Sequence, residues 1–323
     1  MRSFACIFPG QGSQEVGMAG PLLANPLSAR VFSEANDALG FDLTGLIMNG
    51  PAEELTLTFN AQPAILTTSL AIWAHLRKAL GQDGVPSFVA GHSLGEFSAL
   101  TAAGSLGLRD AVRLVRKRGE LMQTAVPAGM GTMAALVGGS DEDARSLVES
   151  AAGGEVLDVA NFNAPGQVVI SGQAAAVERA IEKSKEFGFK KAVQLNVSAP
   201  FHSRLMEPVR TAFTEVLLKY EFSTPICPIV HNVTAQANCD RTKLREMLAM
   251  QIDSPVRWVE SVGFMIRNGV EVFIEVGNGS VLQGLVKKIA GREWGGEIIG
   301  CALPEDVAGV MAVVGGVPAE RSQ

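Results

Sequence analysis

The pentapeptide Gly91-His92-Ser93-Leu94-Gly95 constrains this chain more than any other stretch. It follows a short, mostly apolar run at 87–90 and precedes Glu96-Phe97-Ser98-Ala99-Leu100, which suits a helix. A G-x-S-x-G sequence between a strand and a helix is the nucleophile-elbow pattern. The glycines allow a sharp turn, and the serine hydroxyl is then presented at a helix N-terminus, where backbone N–H groups can stabilise an oxyanion. A helix N-cap serine flanked by glycines has the same five residues. The strand-turn-helix context favours the elbow and an α/β-hydrolase-like architecture around it.

The rest of the chain supports that class. A buried strand is predicted at 4–8, followed by the loop Pro9-Gly10-Gln11-Gly12-Ser13-Gln14. Helical patterns follow at 27–39, 61–80 and 109–126. Alternating strands and helices imply an α/β layer with a mostly parallel sheet. The character changes after Pro127. Strands are expected at 132–137, 156–160, 167–171 and 190–195, and helices at 141–152 and 174–187, with Ser140 capping the first. This β-α-β-β-α-β order is the split arrangement of ferredoxin-like domains. The expected organisation is a discontinuous large domain, 1–127 and 198–323, with a small ferredoxin-like domain inserted at 128–197. In the second part of the large domain a strand is expected at 226–231, helices at 243–251, 257–267 and 281–290, a strand at 270–276, and a small, Gly/Pro-containing tail from Ala308 that frays at its end.

Composition excludes several function classes. A net charge of −6 over 323 residues is not that of a nucleic-acid binder. None of the four cysteines forms a C-x-x-C pair, and no acidic or histidine cluster suggests a metal. Cys6 and Cys227 lie in apolar runs and read as core. Gly10, Gly12 and Gly17 do not make a dinucleotide fingerprint, so no nucleotide cofactor is indicated. No secretion signal and no membrane-spanning stretch is evident, so the cytoplasm is the default location.

A serine nucleophile needs a base, and there are only four histidines. His92 is adjacent to Ser93 and points away from it on a tight turn. His75 sits in a helical pattern, and His231 ends an apolar run. His202, in the loop Ala199-Pro200-Phe201-His202-Ser203 before a helix, is left as the base. No acid stands out to orient it. Arg118 shares the apolar stripe of Ala111, Val115, Met122 and Ala125, whereas Arg113 and Arg116 fall on the wet side. An inward arginine must be paired. Two readings stand equal here, an internal salt bridge and a bidentate clamp for a substrate carboxylate. The backbone N–H groups of Leu94 and Gln11 are candidate oxyanion donors, if the Gln11 loop gathers at the same sheet edge as the elbow.

Taken together, these segments resemble a known family. The stretches 8–14, 91–96, 118–123, 161–167, 199–203 and 275–279 occur in the order found in malonyl-CoA:acyl-carrier-protein transacylases of fatty acid synthesis. The resemblance covers residues 4–303. It implies Ser93 as acyl nucleophile, His202 as base, Arg118 as the grip on the malonyl carboxylate, and Gln11 and Leu94 as the oxyanion hole. It also implies that Gln251 orients the histidine through its backbone carbonyl. Phe201 and Leu94 resemble the malonyl-selective pattern of related polyketide acyltransferases. The implied partners are malonyl-CoA and an acyl carrier protein that brings its own phosphopantetheine, with no resident cofactor and a monomer as the default. Because such carriers are acidic, Lys190, Lys191, Lys287, Lys288 and Arg292 are candidates for docking. Three positions depart from the family pattern: Phe97 replaces a frequent Tyr, Asn278 a common Pro, and His231 a frequent Asn. A serine hydrolase, a non-enzymatic carrier-binding scaffold, and an acyltransferase serving a polyketide synthase or malonate decarboxylase are the alternatives.

Overall fold

Strand β1 (Phe4–Phe8) is apolar at every position because both of its faces are covered. Phe4, Cys6 and Phe8 pack into one core with the helices Pro26–Leu39, Thr58–Leu80, Leu94–Ala102 and Leu108–Gln123. Ala5 and Ile7 enter a second core with Trp258, Val262, Leu282 and Val286, from the helices Trp258–Arg267 and Val281–Ala290. Parallel strands are buried in this way when crossover helices cover both sides. The computed structural model describes residues 1–127, 129–197 and 199–315.

The remaining strands are β2 (Phe88–Gly91), β3 (Gly131–Val137), β4 (Leu157–Ala164), β5 (Gln167–Gln173), β6 (Lys191–Gln194), β7 (Ile229–Val230), β8 (Ala237–Asn238), β9 (Val272–Val276) and β10 (Glu297–Cys301). They form two sheets. The six-stranded sheet has the order β10-β9-β1-β2-β7-β8, parallel except for β8, which turns back on β7. The four-stranded sheet is antiparallel with the order β4-β5-β3-β6. The helices Asp141–Ala152 and Ala174–Lys183 cover one face of it, building a third core around Leu136, Leu147, Ile170 and Val177. Ser140 caps the first of these helices in a reciprocal capping box with Asp143, as its position predicts.

Near the site, β4 of the small sheet is tied to two connecting segments of the chain. Val256 N–H donates to Ala160 and Phe162 N–H donates to Val256. Asp158 on β4 accepts the backbone N–H and the guanidinium of Arg204.

Several expectations need correction. β4 continues through Ala164 rather than ending at 160, with two register breaks that let Asn161 and Asn163 stay in the strand. The strand expected at 226–231 shortens to Ile229–Val230, because Ile226 N–H is drawn to Ala103 of the neighbouring turn. β10 was not anticipated, since its short Gly-containing stretch carries little strand signal. The tail from Ala308 is ordered at its start, and its end, where fraying is expected, lies outside the described residues. Its start belongs to the helix Asp306–Val314, which buries Val310, Met311 and Val314, and accepts Arg2 N–H at Val314. Residues 316–323 and the domain-boundary residues 128 and 198 lie outside the described residues. Among the described residues, no helix is long and apolar enough to cross a membrane.

The helix Leu108–Gln123 lies against the start of the helix Thr58–Leu80. Gly119 makes this possible: a Cβ there would fall 2.5 Å from Phe59 Cα. Gly119→Ala is expected to lower stability by about 1–3 kcal/mol through overpacking. The urea midpoint reads this, and an unchanged midpoint would contradict the close packing.

Candidate active site

β2 delivers Ser93 to the head of the helix Leu94–Ala102 with φ 50° and ψ −104°, a strained elbow conformation. The elbow is wedged against the neighbouring strand, where a Cβ on Gly95 would fall 2.0 Å from Phe8 O. Asn232, just beyond β7, completes the turn. Its Oδ1 accepts Ser93 N–H at 2.7 Å, and its Nδ2 donates to Gly91 O at 2.7 Å.

His202 meets the serine from the other side of the cleft. Ser93 Oγ lies 2.8 Å from His202 Nε2. His202 Nδ1 donates to Gln251 O at 2.9 Å and to Ser254 O at 3.2 Å. With its Nδ1 proton committed to carbonyls, the ring turns a bare Nε2 lone pair toward the hydroxyl. Burial and the nearby Arg118 charge push the imidazole pKa down to about 3, so the ring is neutral and available as a base.

Arg118 is 1% exposed and reaches the same atom. Its Nη2 donates to Ser93 Oγ at 3.1 Å and to Gln251 Oε1 at 2.8 Å, and the guanidinium lies over the Phe97 ring at 5.3 Å. Among the described residues Arg118 forms no direct ion pair, and its Nε has no partner. This removes the internal salt-bridge reading. Burial lowers its pKa to about 9, against the opposing pull of Glu96.

Glu96 was not singled out in the sequence. It is wholly buried, and its two oxygens collect His231 Nδ1 at 2.7 Å, Asn232 N–H at 3.0 Å and Gln251 Nε2 at 2.8 Å. Gln251 also donates Nε2 to Ser93 O at 3.0 Å. Gln251 therefore does more than its expected carbonyl contact. Its side chain stands between the Arg118 cation and the Glu96 anion.

Ser93, Arg118, His202, Gln11, Leu94 and Phe201 all line one cavity of about 340 Å³, with Gln251 directly behind its wall. The Leu94 and Gln11 N–H groups have no acceptor among the described residues, which leaves both free for a ligand oxygen. Gln11, Gly12, His92, Asn161 and Leu195 also line an adjoining cavity of about 270 Å³ that runs to Val281 and Leu285. His92 turns to Asn163 Oδ1 at 2.7 Å and packs on Trp258, so it is no base for its neighbour. His75 bonds Ser28 and packs its helix. Arg116 stays off the buried face of its helix, paired with Glu120, and its half-buried guanidinium also lies over the rings of Phe41 and Phe59. Among the described residues, no group of three or more His, Cys, Asp or Glu side chains could hold a metal ion.

The acyl transferase domain family matches residues 5–306. A malonyl CoA-acyl carrier protein transacylase of Bacillus subtilis is 48% identical, over 90% of this chain and 92% of its own length. The Escherichia coli K12 protein of the same name is 46% identical, over 90% and 93%. Among solved structures, an acyl carrier protein S-malonyltransferase from Vibrio cholerae superposes with TM-score 0.90 at 44% identity, covering 95% of this chain and 99% of that one. A malonyl-transacylase in complex with a type II polyketide acyl-carrier protein superposes with TM-score 0.91 at 41% identity, covering 97% and 100%.

The buried histidine carries a pH signature. An imidazole with an ordinary pKa of 6.5 is held near 3 by the fold, so the unfolded chain binds the extra proton first as pH falls. The stability contributed by neutral His202 is complete above pH ~6.5 and drains away toward pH ~3. Between pH 7 and pH 5 the parent protein should lose about 2 kcal/mol more unfolding free energy than His202→Gln. Denaturant titration at both pH values measures this, and equal losses would contradict the assignment.

Proposed function

This chain belongs to the acyl transferase domain family, and on that premise we propose that it moves the malonyl group from malonyl-CoA to the phosphopantetheine thiol of acyl carrier protein, in fatty acid biosynthesis. One observation carries the reading: Ser93 Oγ is shared by His202 Nε2 and the buried Arg118 fork inside a single cavity. His202 takes the Ser93 proton as Oγ attacks the thioester carbonyl. The N–H groups of Leu94 and Gln11 receive the oxyanion. The intermediate collapses to a malonyl–Ser93 ester, and His202 returns the proton to the departing CoA sulfur. An imidazolium beside Arg118 is costly, which favours that prompt return. The carrier thiol then enters, gives its proton to His202 and attacks the ester, and Ser93 leaves with the proton restored. No resident cofactor is needed in this scheme, because the pantetheine arm arrives on each substrate.

Arg118 selects the acyl group. A malonyl carboxylate can accept from the Arg118 guanidinium on the cavity wall, whereas an acetyl group offers that cation no charged acceptor. Phe201, 7% exposed on the cavity wall, adds bulk against a 2-methyl branch, though a single methyl gives only modest discrimination.

The finer architecture belongs to the same proposal. A large α/β-hydrolase-like domain, 1–127 and 198–323, is interrupted by a ferredoxin-like domain at 128–197; the antiparallel order β4-β5-β3-β6 and the two helices on one face support this. The cleft between the sheets opens beside Lys288, which donates to Gln167, in register with Val137 and Lys191 across β5, β3 and β6. We assign Lys190, Lys191, Lys287, Lys288 and Arg292, all exposed, to docking of an acidic carrier. A cytoplasmic monomer is the form proposed, and four unpaired cysteines suit a reducing compartment.

Intact-mass analysis tests the reading. Malonyl-CoA should add one malonyl group to the parent protein and none to Ser93→Ala, and holo carrier should discharge it faster than water. Charge reversal at Lys190, Lys191 and Lys288 should leave loading intact and slow discharge to the carrier. Rapid loss of the label to water would instead identify a hydrolase, and labelling of Ser93→Ala would remove the nucleophile.

A further inference from the structure

We propose that Asn278 is a positioning residue: its side-chain amide fixes the loop that presents the Gln11 N–H to the reacting carbonyl. The inference rests on Gln11 as the second oxyanion donor. Gln11 sits between Gly10 and Gly12, and Gly12 has φ 103°, so the loop has little stiffness of its own. Its internal bonds close a small turn, with Ser13 N–H and Oγ both donating to Gly10 O. That turn needs anchoring from outside, and the structure anchors it at two points flanking Gln11. On one side Gly10 lies against the elbow, so close that a Cβ would fall 2.3 Å from His92 O. On the other side Asn278 Nδ2 donates to Ser13 O at 2.8 Å.

The second anchor stands on a rigid footing. Gly277 N–H donates to Cys301 O, and its Cα packs on the Pro9 ring. Glu275 is 1% exposed, and its two carboxylate oxygens accept Leu282 N–H at 3.1 Å and Gln283 N–H at 3.0 Å. The turn at 277–279 is therefore held between the end of β9 and the start of the helix Val281–Ala290. Without the Asn278 bond the loop pivots about Gly10, and the Gln11 N–H samples positions beyond the 2.7–3.1 Å reach of an oxyanion.

Asn278→Asp keeps the shape and removes the donor, and Asn278→Ala removes both. Single-turnover loading of Ser93 by malonyl-CoA and by acetyl-CoA is the readout. Both variants should load about tenfold more slowly, less than the roughly 100-fold loss of an outright donor deletion. The half-saturating malonyl-CoA concentration and the malonyl-to-acetyl preference should stay as in the parent, because Arg118 is untouched. Loading at the parental rate in Asn278→Asp, a slowing that appears only as a raised half-saturation, or a changed acyl preference would each overturn the proposal. The amplitude of loading counts folded enzyme, which separates a fold defect from a slowed step. Failure of the parent protein to load Ser93 would be a failure of the underlying reading instead.

Discussion

Burying a guanidinium strips it of water, and the fold must offset that loss without using up the group's donors. Arg118 achieves this through an intermediary. Its counter-charge, Glu96, is wholly buried nearby, but the Gln251 amide stands between them, accepting from Arg118 and donating to Glu96. A direct ion pair would have neutralised the cation and closed its fork. Attraction relayed through one amide leaves the positive charge compensated at a distance and the guanidinium on the cavity wall. The same Gln251 donates to Ser93 O, and its carbonyl holds His202, so Ser93, His202 and Arg118 are all referenced to one residue.

This arrangement depends on how the large sheet gathers its loops. The Gln11 loop follows β1, the elbow follows β2, His231 and Asn232 follow β7, and the 277–279 turn follows β9. All four strands run parallel, so their carboxyl ends lie along one edge and their loops meet there. His202 and Phe201 enter from the segment that returns from the small sheet, and the Asp158–Arg204 pair fixes the residues that follow them. The cleft between the two sheets thus brings His202, 109 positions on, and Arg118, 25 positions on, within hydrogen-bond distance of Ser93 Oγ.

The residues that meet at the cavity were legible in the sequence because they sit in locally strained or locally patterned contexts. The elbow needs glycines at fixed offsets, Arg118 interrupts an apolar stripe at helical spacing, and His202 is the histidine left once the others are placed. Glu96 and Asn232 were not found by local pattern. Glu96 looks like any acid in a first helical turn, and Asn232 bonds Ser93 from 139 positions away. The side-chain role of Gln251 is likewise set wholly by tertiary packing. In the fold, the β-α-β-β-α-β unit was readable from alternating periodicity. The length of β4 was not, because its bulges place asparagines inside a strand, where they read as a turn. The short strand β10 and the closing helix Asp306–Val314 owe their stability to the large core rather than to their own sequence.

The proposed selectivity rests on the Arg118 guanidinium as the reader of a substrate carboxylate. The most direct measurement is the ratio of kcat/KM for malonyl-CoA to that for acetyl-CoA, in the parent protein and in Arg118→Ala. The ratio should fall by about 100-fold or more, the effect of losing a charge-assisted bidentate contact of several kcal/mol. An equal loss on both substrates, leaving the ratio unchanged, would show that Arg118 supports the site without reading the acyl group.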